Sequence, residues 1–353
     1  MTKAISRDQL LALLRDGEPI TGVTLAGQDL SGVDLGGAIL ERVMLRGANL
    51  RGARLKEALI ADSDLGDTVL DSADLQQTLF WRCDLSGATF RGANLTFTKV
   101  VETSIEKANL SGGKASLLSL MDSDARGALF DGAELTRANF VKTRLEGASF
   151  RGARFSKANL LDVDLRTAHL EDVVWDRVVF HRANLAGKSL AGLDLQMTQL
   201  MDADLTGCDF SGAKLDRSNF KGSRLAGARF DGASVKNVLF VEAALEGASF
   251  READLCQSIF MGAVVSRADF TRAKLYQTVW QRATCEAALF VDADLTYGDF
   301  SHADLTRADF RGSTLTRARF HRTKEDGAHF PLRLAALGND EELARAEDFR
   351  PPH

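Results

Sequence analysis

A large apolar side chain recurs at every fifth residue of this chain. From Ile20 to Phe320 all 61 positions in that frame are apolar, from Ile20, Leu25, Leu30 and Leu35 to Leu305, Phe310, Leu315 and Phe320. No insertion or deletion shifts the register, and the weakest members are Ala115, Ala125 and Cys285. A second column two residues earlier is small: Ala48, Ala53, Ala58, Ser63, Thr68 and Ala73, and later Ala303, Ala308, Ser313 and Ala318. Asp or Asn commonly precedes the large residue, as in Ala48-Asn49-Leu50, and Gly often follows it by two. This period matches neither the helical nor the simple strand repeat. It fits a chain that turns a corner every five residues, so that four repeats close one square coil and the large and small residues fill its bore. With coils stacked at about 4.8 Å, the pattern predicts about 15 coils and a rod roughly 70 Å long.

Over about residues 18–330 this A(D/N)LXX pattern closely resembles the pentapeptide repeat family. The resemblance implies an all-β solenoid, a right-handed quadrilateral β-helix. Phenylalanine falls mainly at multiples of ten, with leucine between, and from 210 to 320 the only break in that Phe series is Trp280. Two opposite faces are therefore expected to hold stacked Phe and the other two Leu. The predicted organisation is a helical cap over residues 1–17, the repeat over 18–330, and a cap or tail over 331–353. Ser6-Arg7-Asp8-Gln9 reads as a capping box opening a short helix that Gly17 ends. Leu10, Leu11, Leu13 and Leu14 are then set to cover the first coil. At the far end the frame fails at Glu325, returns at Phe330 and stops at Pro331, ahead of a polar helical stretch near Asp340 to Asp348.

Composition narrows the function more than it names it. The formal charge of -5 implies no strong pull toward nucleic acid or anionic lipid. Four irregularly spaced cysteines suit neither a disulfide framework nor a zinc site. The start lacks a signal-peptide pattern and no run is long enough to span a membrane, so a bacterial cytoplasmic location is expected.

Catalysis needs polar groups converging in a concavity, and a filled bore offers none; no catalytic residue, metal or cofactor is expected. None of the six histidines lies in an inward column; His302 and His321 are expected as near neighbours, solvated at the surface. Cys83, Cys208 and Cys285 read as inert core thiols, leaving Cys256 as the reactive one. The sequons at Asn94 and Asn109 are by-products of the repeat. Lys188 violates a small inward slot beside an oversized Leu193, and its side chain is expected to snorkel out through a distorted corner. Leu118 overfills its slot beside the undersized Ala115 and Ala125, an exchange of volume within the core.

Function is therefore expected on the exterior. On the face of residues 60, 80 and 100, the outward positions carry Leu59, Leu79, Trp81, Val101, Met121, Val141, Leu161, Met201, Leu239, Val241, Ile259 and Met261. The other three faces are mostly Ser, Thr, Asp, Arg and Lys. Strand propensity alone would spread such residues over all four faces, so one apolar stripe reads as a docking surface for another protein or for a second copy. The expected function is a non-catalytic scaffold or adaptor, such as an accessory of a bacterial secretion apparatus. The family resemblance implies an alternative: mimicry of B-form DNA and binding to DNA gyrase. The acidic column Asp64, Asp84, Asp124, Asp164 and Asp204 suits it; Arg144 and Arg224 interrupt it.

Overall fold

In the computed structural model, residues 3–349 are described, and the chain forms two compact units, one ending at Val179 and the other beginning at Phe180. The repeat itself contains no signal for that boundary. Each unit is a parallel β-solenoid. In the first, β2 (Ile20–Thr21), β4 (Ile39–Glu41), β5 (Leu59–Ala61), β6 (Leu79–Trp81), β7 (Lys99–Val101), β8 (Ser119–Met121), β10 (Asn139–Val141) and β12 (Asn159–Leu161) form one eight-stranded sheet in that order. The registers Ile20↔Leu40, Phe80↔Val100 and Phe140↔Leu160 fix the coil at 20 residues, four pentapeptides. A second face carries β9 (Glu134–Thr136), β11 (Arg154–Ser156) and β13 (Val174–Asp176). In the second unit the same 20-residue step runs through isolated bridges from Asn184↔Asp204 to Asp309↔His329. The longest continuous sheet thus has eight rungs, fewer than the coil count expected for the whole span.

Hydrogen-bond accounting explains the consensus, because a buried backbone group must find a partner. The N–H of most large residues donates to the next coil, as Leu30 to Asn49 O at 2.8 Å, and so does that of the residue two on, Gly32 to Arg51 O at 3.0 Å. The residue before the large one donates to the preceding coil, as Asn49 to Gln28 O at 2.9 Å, and the third residue after it closes a turn, as Val33 to Leu30 O at 3.2 Å. One N–H per repeat remains, directly after the large residue, and the preceding Asp or Asn accepts it through a local turn. Ser31 donates to Asp29 Oδ1 at 3.0 Å, Gly36 to Asp34 Oδ1 at 2.9 Å and Ser86 to Asp84 Oδ1 at 2.9 Å. At Thr89, Ser149 and Ser234, which replace that acid, an Asp one coil earlier takes over: Arg91 donates to Asp71, Arg151 to Asp131 and Lys236 to Asp216, each at 3.0 Å.

These accepted bonds hold the carboxylates in their charged form. Asp29 and Asp209 lie below the usual range, chiefly through the hydroxyls of Ser31 and Ser211 and then their N–H groups. Asp176 is lowered to about 2, first by its hydrogen bond from Arg177 and next by Ser156. A depressed folded-state value means stability that is complete above the unfolded Asp value of about 3.9 and lost as pH falls through the folded values. The urea midpoint is therefore expected to hold from neutral pH down to about 4 and to fall between about 4 and 2. Asp209→Asn, which keeps Oδ1, should flatten part of that fall; a midpoint independent of pH through this window would contradict the assignment.

The corner itself is a left-handed residue. Every second residue after a large one, from Gly22 to Gly327, has positive φ, Thr167 alone excepted. A β-branched side chain resists that conformation, and Thr167 replaces the missing geometry with its hydroxyl, which accepts from Gly147 N at 3.1 Å. Three residues on, Leu170 is the one large residue between Ile20 and Phe320 that is only half-buried.

The bore is packed as the spacing predicts. Phe230, Phe250 and Phe270 stack one coil apart with centroids 4.6 and 4.8 Å apart and planes within 6°. Phe240 meets Phe250 edge-on at 5.8 Å. Leu118, Ala115 and Ala125 are all buried. At the start, α1 (Arg7–Asp16) has the full Ser6/Gln9 capping box and a Gly17 cap at φ 70°. Leu10 is fully buried and Leu11, Leu13 and Leu14 half-buried. The sequence did not disclose β1 (Lys3–Ala4), which pairs with β3 (Val23–Thr24) and covers the edge of the first coil.

At the other end Phe330 stacks on Phe310 at 4.7 Å. Glu325 occupies a large inward slot, held by a two-pronged pair with Arg333 at 3.0 and 2.6 Å. The Arg333 guanidinium lies 3.2 Å from the Phe330 ring centre. Leu337 exchanges backbone bonds with Phe320 and Ala318, both at 2.8 Å, so the tail supplies part of one more rung. The helix α2 (Glu341–Asp348) follows.

Candidate functional site

The strands of the first unit set the stripe in register. Leu59 pairs with Leu79, Ala61 with Trp81, Trp81 with Val101, Val101 with Met121, Met121 with Val141 and Val141 with Leu161. Each outward side chain lies between those one coil away, so Leu59, Leu79, Val101, Met121, Val141 and Leu161 are half-buried while Trp81 stays 38% exposed. The Arg82 guanidinium sits 3.9 Å from the Trp81 ring centre and bonds Asp62 at 2.8 Å. In the second unit Leu239, Ile259 and Val279 bridge in turn. Leu239 and Met261 are 36% and 38% exposed, and Met201, Val241 and Ile259 half-buried. That second segment is broken by Lys221, paired with Glu242 at 3.8 Å.

Three apolar residues belong beside the stripe that the outward columns did not include. Phe97, 52% exposed, and Leu117 stand on the corner immediately before this face in the first unit, at φ 61° and 59°. Met197, exposed at φ 57°, holds the matching corner before Met201. Large side chains at left-handed positions are uncommon, and that conflict with local preference is the signal that could have found them. On the opposite corner of the first unit, Arg42, Asp62, Arg82, Glu102, Asp122, Lys142 and Asp162 all have positive φ and none is Gly. Glu102, Asp122 and Lys142 make no ion pair among the described residues.

The acidic column is largely neutralised. Arg46 reaches Asp64 at 2.9 Å and Asp84 at 2.7 Å. Asp124 meets Arg126 at 2.7 Å, Asp164 meets Arg166 at 2.6 Å and Asp204 meets Arg224 at 2.5 Å.

Elsewhere the residues with chemical potential are tied up. Cys256 is half-buried and its thiol is pushed up to about 11 by desolvation and the hydrogen bond to Asp254. It is a protonated thiol at neutral pH, so the expectation of a reactive cysteine is corrected. Burial likewise raises Cys83 to about 11 and Cys208 to about 12. Lys188 is half-exposed, but its corner is regular, with the turn bond to Leu185 O kept at 2.9 Å.

His302 and His321 are neighbours, rings 5.5 Å apart, yet His321 is buried rather than solvated because α2 covers it. Their Nε2 atoms lie 3.3 and 3.2 Å from the two oxygens of Glu347. His321 Nδ1 accepts from Asp340 N–H at 3.2 Å. Its proton therefore sits on Nε2 and is donated to Glu347, which leaves that nitrogen without a lone pair for a metal. Arg322 adds bonds to Ala344 O at 2.7 Å and Asp348 at 2.5 Å. The cluster is a clasp for the terminal helix.

No helix among the described residues is long and apolar enough to cross a membrane. Comparison with curated protein sequences gives no match. Among solved structures, full-length QnrB1, a plasmid-mediated fluoroquinolone resistance protein, is 17% identical over 61% of this chain and 98% of that one, with a TM-score of 0.30. HetL, a pentapeptide repeat protein involved in heterocyst differentiation regulation from Nostoc sp. strain PCC 7120, is 22% identical over 89% and 96%, with a TM-score of 0.17. A pentapeptide repeat protein of the Arabidopsis thaliana thylakoid lumen is 30% identical over 37% and 69%, with a TM-score of 0.16. The family model described as pentapeptide repeats matches eight copies, over residues 20–56, 73–112, 119–156, 133–172, 198–237, 239–277 and 288–324. With most of its length matched in one unbroken five-residue frame, the chain belongs to the pentapeptide repeat family.

Proposed function

We propose that this chain is a non-catalytic protein–protein interaction module, an adaptor that docks a partner through the apolar stripe of its coils. One observation carries the reading: within each unit the outward apolar residues gather mainly on one face, against isolated ones such as Met44, Val174, Tyr276 and Leu289 elsewhere, and in the first unit Phe97 and Leu117 extend that face at a corner where the backbone disfavours them. Exposed apolar area gathered in one place marks contact surfaces. Trp81 supplies a rigid anchor, and Met121, Met201 and Met261 supply adaptable ones. Mimicry of DNA toward gyrase calls for an unneutralised acidic stripe, and the arginines on Asp64, Asp84, Asp124, Asp164 and Asp204 weigh against it.

The test is a double charge insertion, M121E/L161E, in the full chain. Both residues are half-buried at the surface, so the fold should persist in circular dichroism. Association with partners captured from cells that express the protein should fall at least tenfold, because each charge must be desolvated on docking. Capture unchanged by the double variant refutes the stripe as the docking surface.

A further inference from the structure

We infer that the stripe of the first unit is built to pair with a second copy of this chain, antiparallel and centred on the coil of Val101 and Glu102. This rests on the docking reading above and names its occupant.

The observation is the charged corner flanking the stripe. Two neighbouring corners of the same coils are rich in glycine, including Gly47, Gly87 and Gly127 on one and Gly52, Gly92 and Gly132 on the other. Glycine is the residue a left-handed position favours. The corner beside the stripe instead carries a charge on each of seven successive coils, at φ between 48° and 54°. Its signs are antisymmetric about Glu102. Arg42 answers Asp162, Asp62 answers Lys142, and Arg82 answers Asp122.

Two faces meeting about a two-fold axis that runs along the strands bring each column against its own copy in reverse coil order. With the axis at Glu102, all six flanking positions face an opposite charge. Sliding the partner by one coil either way sets at least two like-charged pairs together. Such a pattern selects register more than it adds affinity. The centre of the apolar column follows the same symmetry: Trp81 meets the copy's Met121, Ala61 meets its Val141 and Val101 meets itself, while Leu161 at the end meets its Glu41, and Leu59 and Leu79 meet its Asn139 and Ser119. Lys99 and Glu102, each facing its own copy at the axis, are the two like-charge contacts that remain.

Seven of the eight rungs, those from Leu40 to Leu160, overlap in this register; at about 4.8 Å apart and about 16 Å wide they offer about 540 Å² per copy. That is the low end for a specific interface, where reversible association is expected.

The test uses the full chain in a C256S background under mild oxidation. E102C lies on the axis and should cross-link to its own copy. R82C alone and D122C alone should not, while an equimolar mixture of the two should. Sedimentation velocity over a concentration series should show a monomer–dimer equilibrium that M121E/L161E shifts at least tenfold toward monomer. A chain that stays monomeric at every concentration, or R82C cross-linking alone as readily as E102C, overturns the self-pairing. If that occurs while M121E/L161E still abolishes capture of a different protein, the docking reading survives and only its occupant is wrong. If M121E/L161E changes neither readout, both fall.

Discussion

Phe250→Ala is expected to lower the stability of the second unit by about 3–5 kcal/mol. Phe250 is fully buried, stacked on Phe230 at 4.6 Å and Phe270 at 4.8 Å, with edges from Phe240 and Phe260 at 5.8 and 6.1 Å. Truncation removes a ring from an array whose spacing is set elsewhere: the Phe250 N–H donates to Asp269 O at 2.7 Å, and the coils cannot move together without breaking such rungs. A cavity that cannot collapse costs toward the top of the usual range. Phe250→Leu installs the side chain that fills the alternate columns and should cost about 1–1.5 kcal/mol. Urea midpoints with unchanged slope would report both values. Equal losses for the two variants would mean that the stack contributes area and no shape.

How much of this was legible depends on whether the signal repeats. The coil, its 20-residue register and the alternating Phe columns follow from the frame, because each inward position is tested some sixty times over. The N-terminal helix was readable for a different reason: Ser6, Gln9 and Gly17 satisfy a local code. What the frame hides is anything that happens once. β1 is two residues long and is a strand only because Val23 and Thr24 offer it an edge. The Glu325–Arg333 pair reads in sequence as a failure of the repeat, yet the two-pronged ion pair holds the acid in a slot the frame reserves for a large apolar side chain. The burial of His321 needed α2 to return over it. The reactivity expected of Cys256 missed Asp254 two residues earlier, whose carboxylate opposes the thiolate. The stripe was visible as a column count, whereas its corner residues required knowing that every second residue after a large one is left-handed.

That left-handed corner gives the second large effect. Gly152→Val is expected to destabilise the first unit by about 2 kcal/mol or more, since a left-handed residue with a Cβ costs about 1–2 kcal/mol and branching adds to it. Gly152 sits at φ 64° with nothing within 4 Å of an added Cβ, so the cost is purely conformational. Gly152→Asn, at the same open site, should cost only a few tenths of a kcal/mol. The chain's own exception agrees: at Thr167, the one β-branched residue in the column, the backbone leaves the left-handed region. The same reasoning inverts at the charged corner. Lys142 and Asp122 hold φ 48° although glycine would hold it with less strain. K142G and D122G should therefore be neutral or stabilising by up to about 0.5–1 kcal/mol in the monomer while weakening self-association. Thermal unfolding and sedimentation of the same samples separate the two effects. If both variants lose stability together with association, the corner charges support the fold; if stability holds while association falls, strain at that corner is kept for the partner.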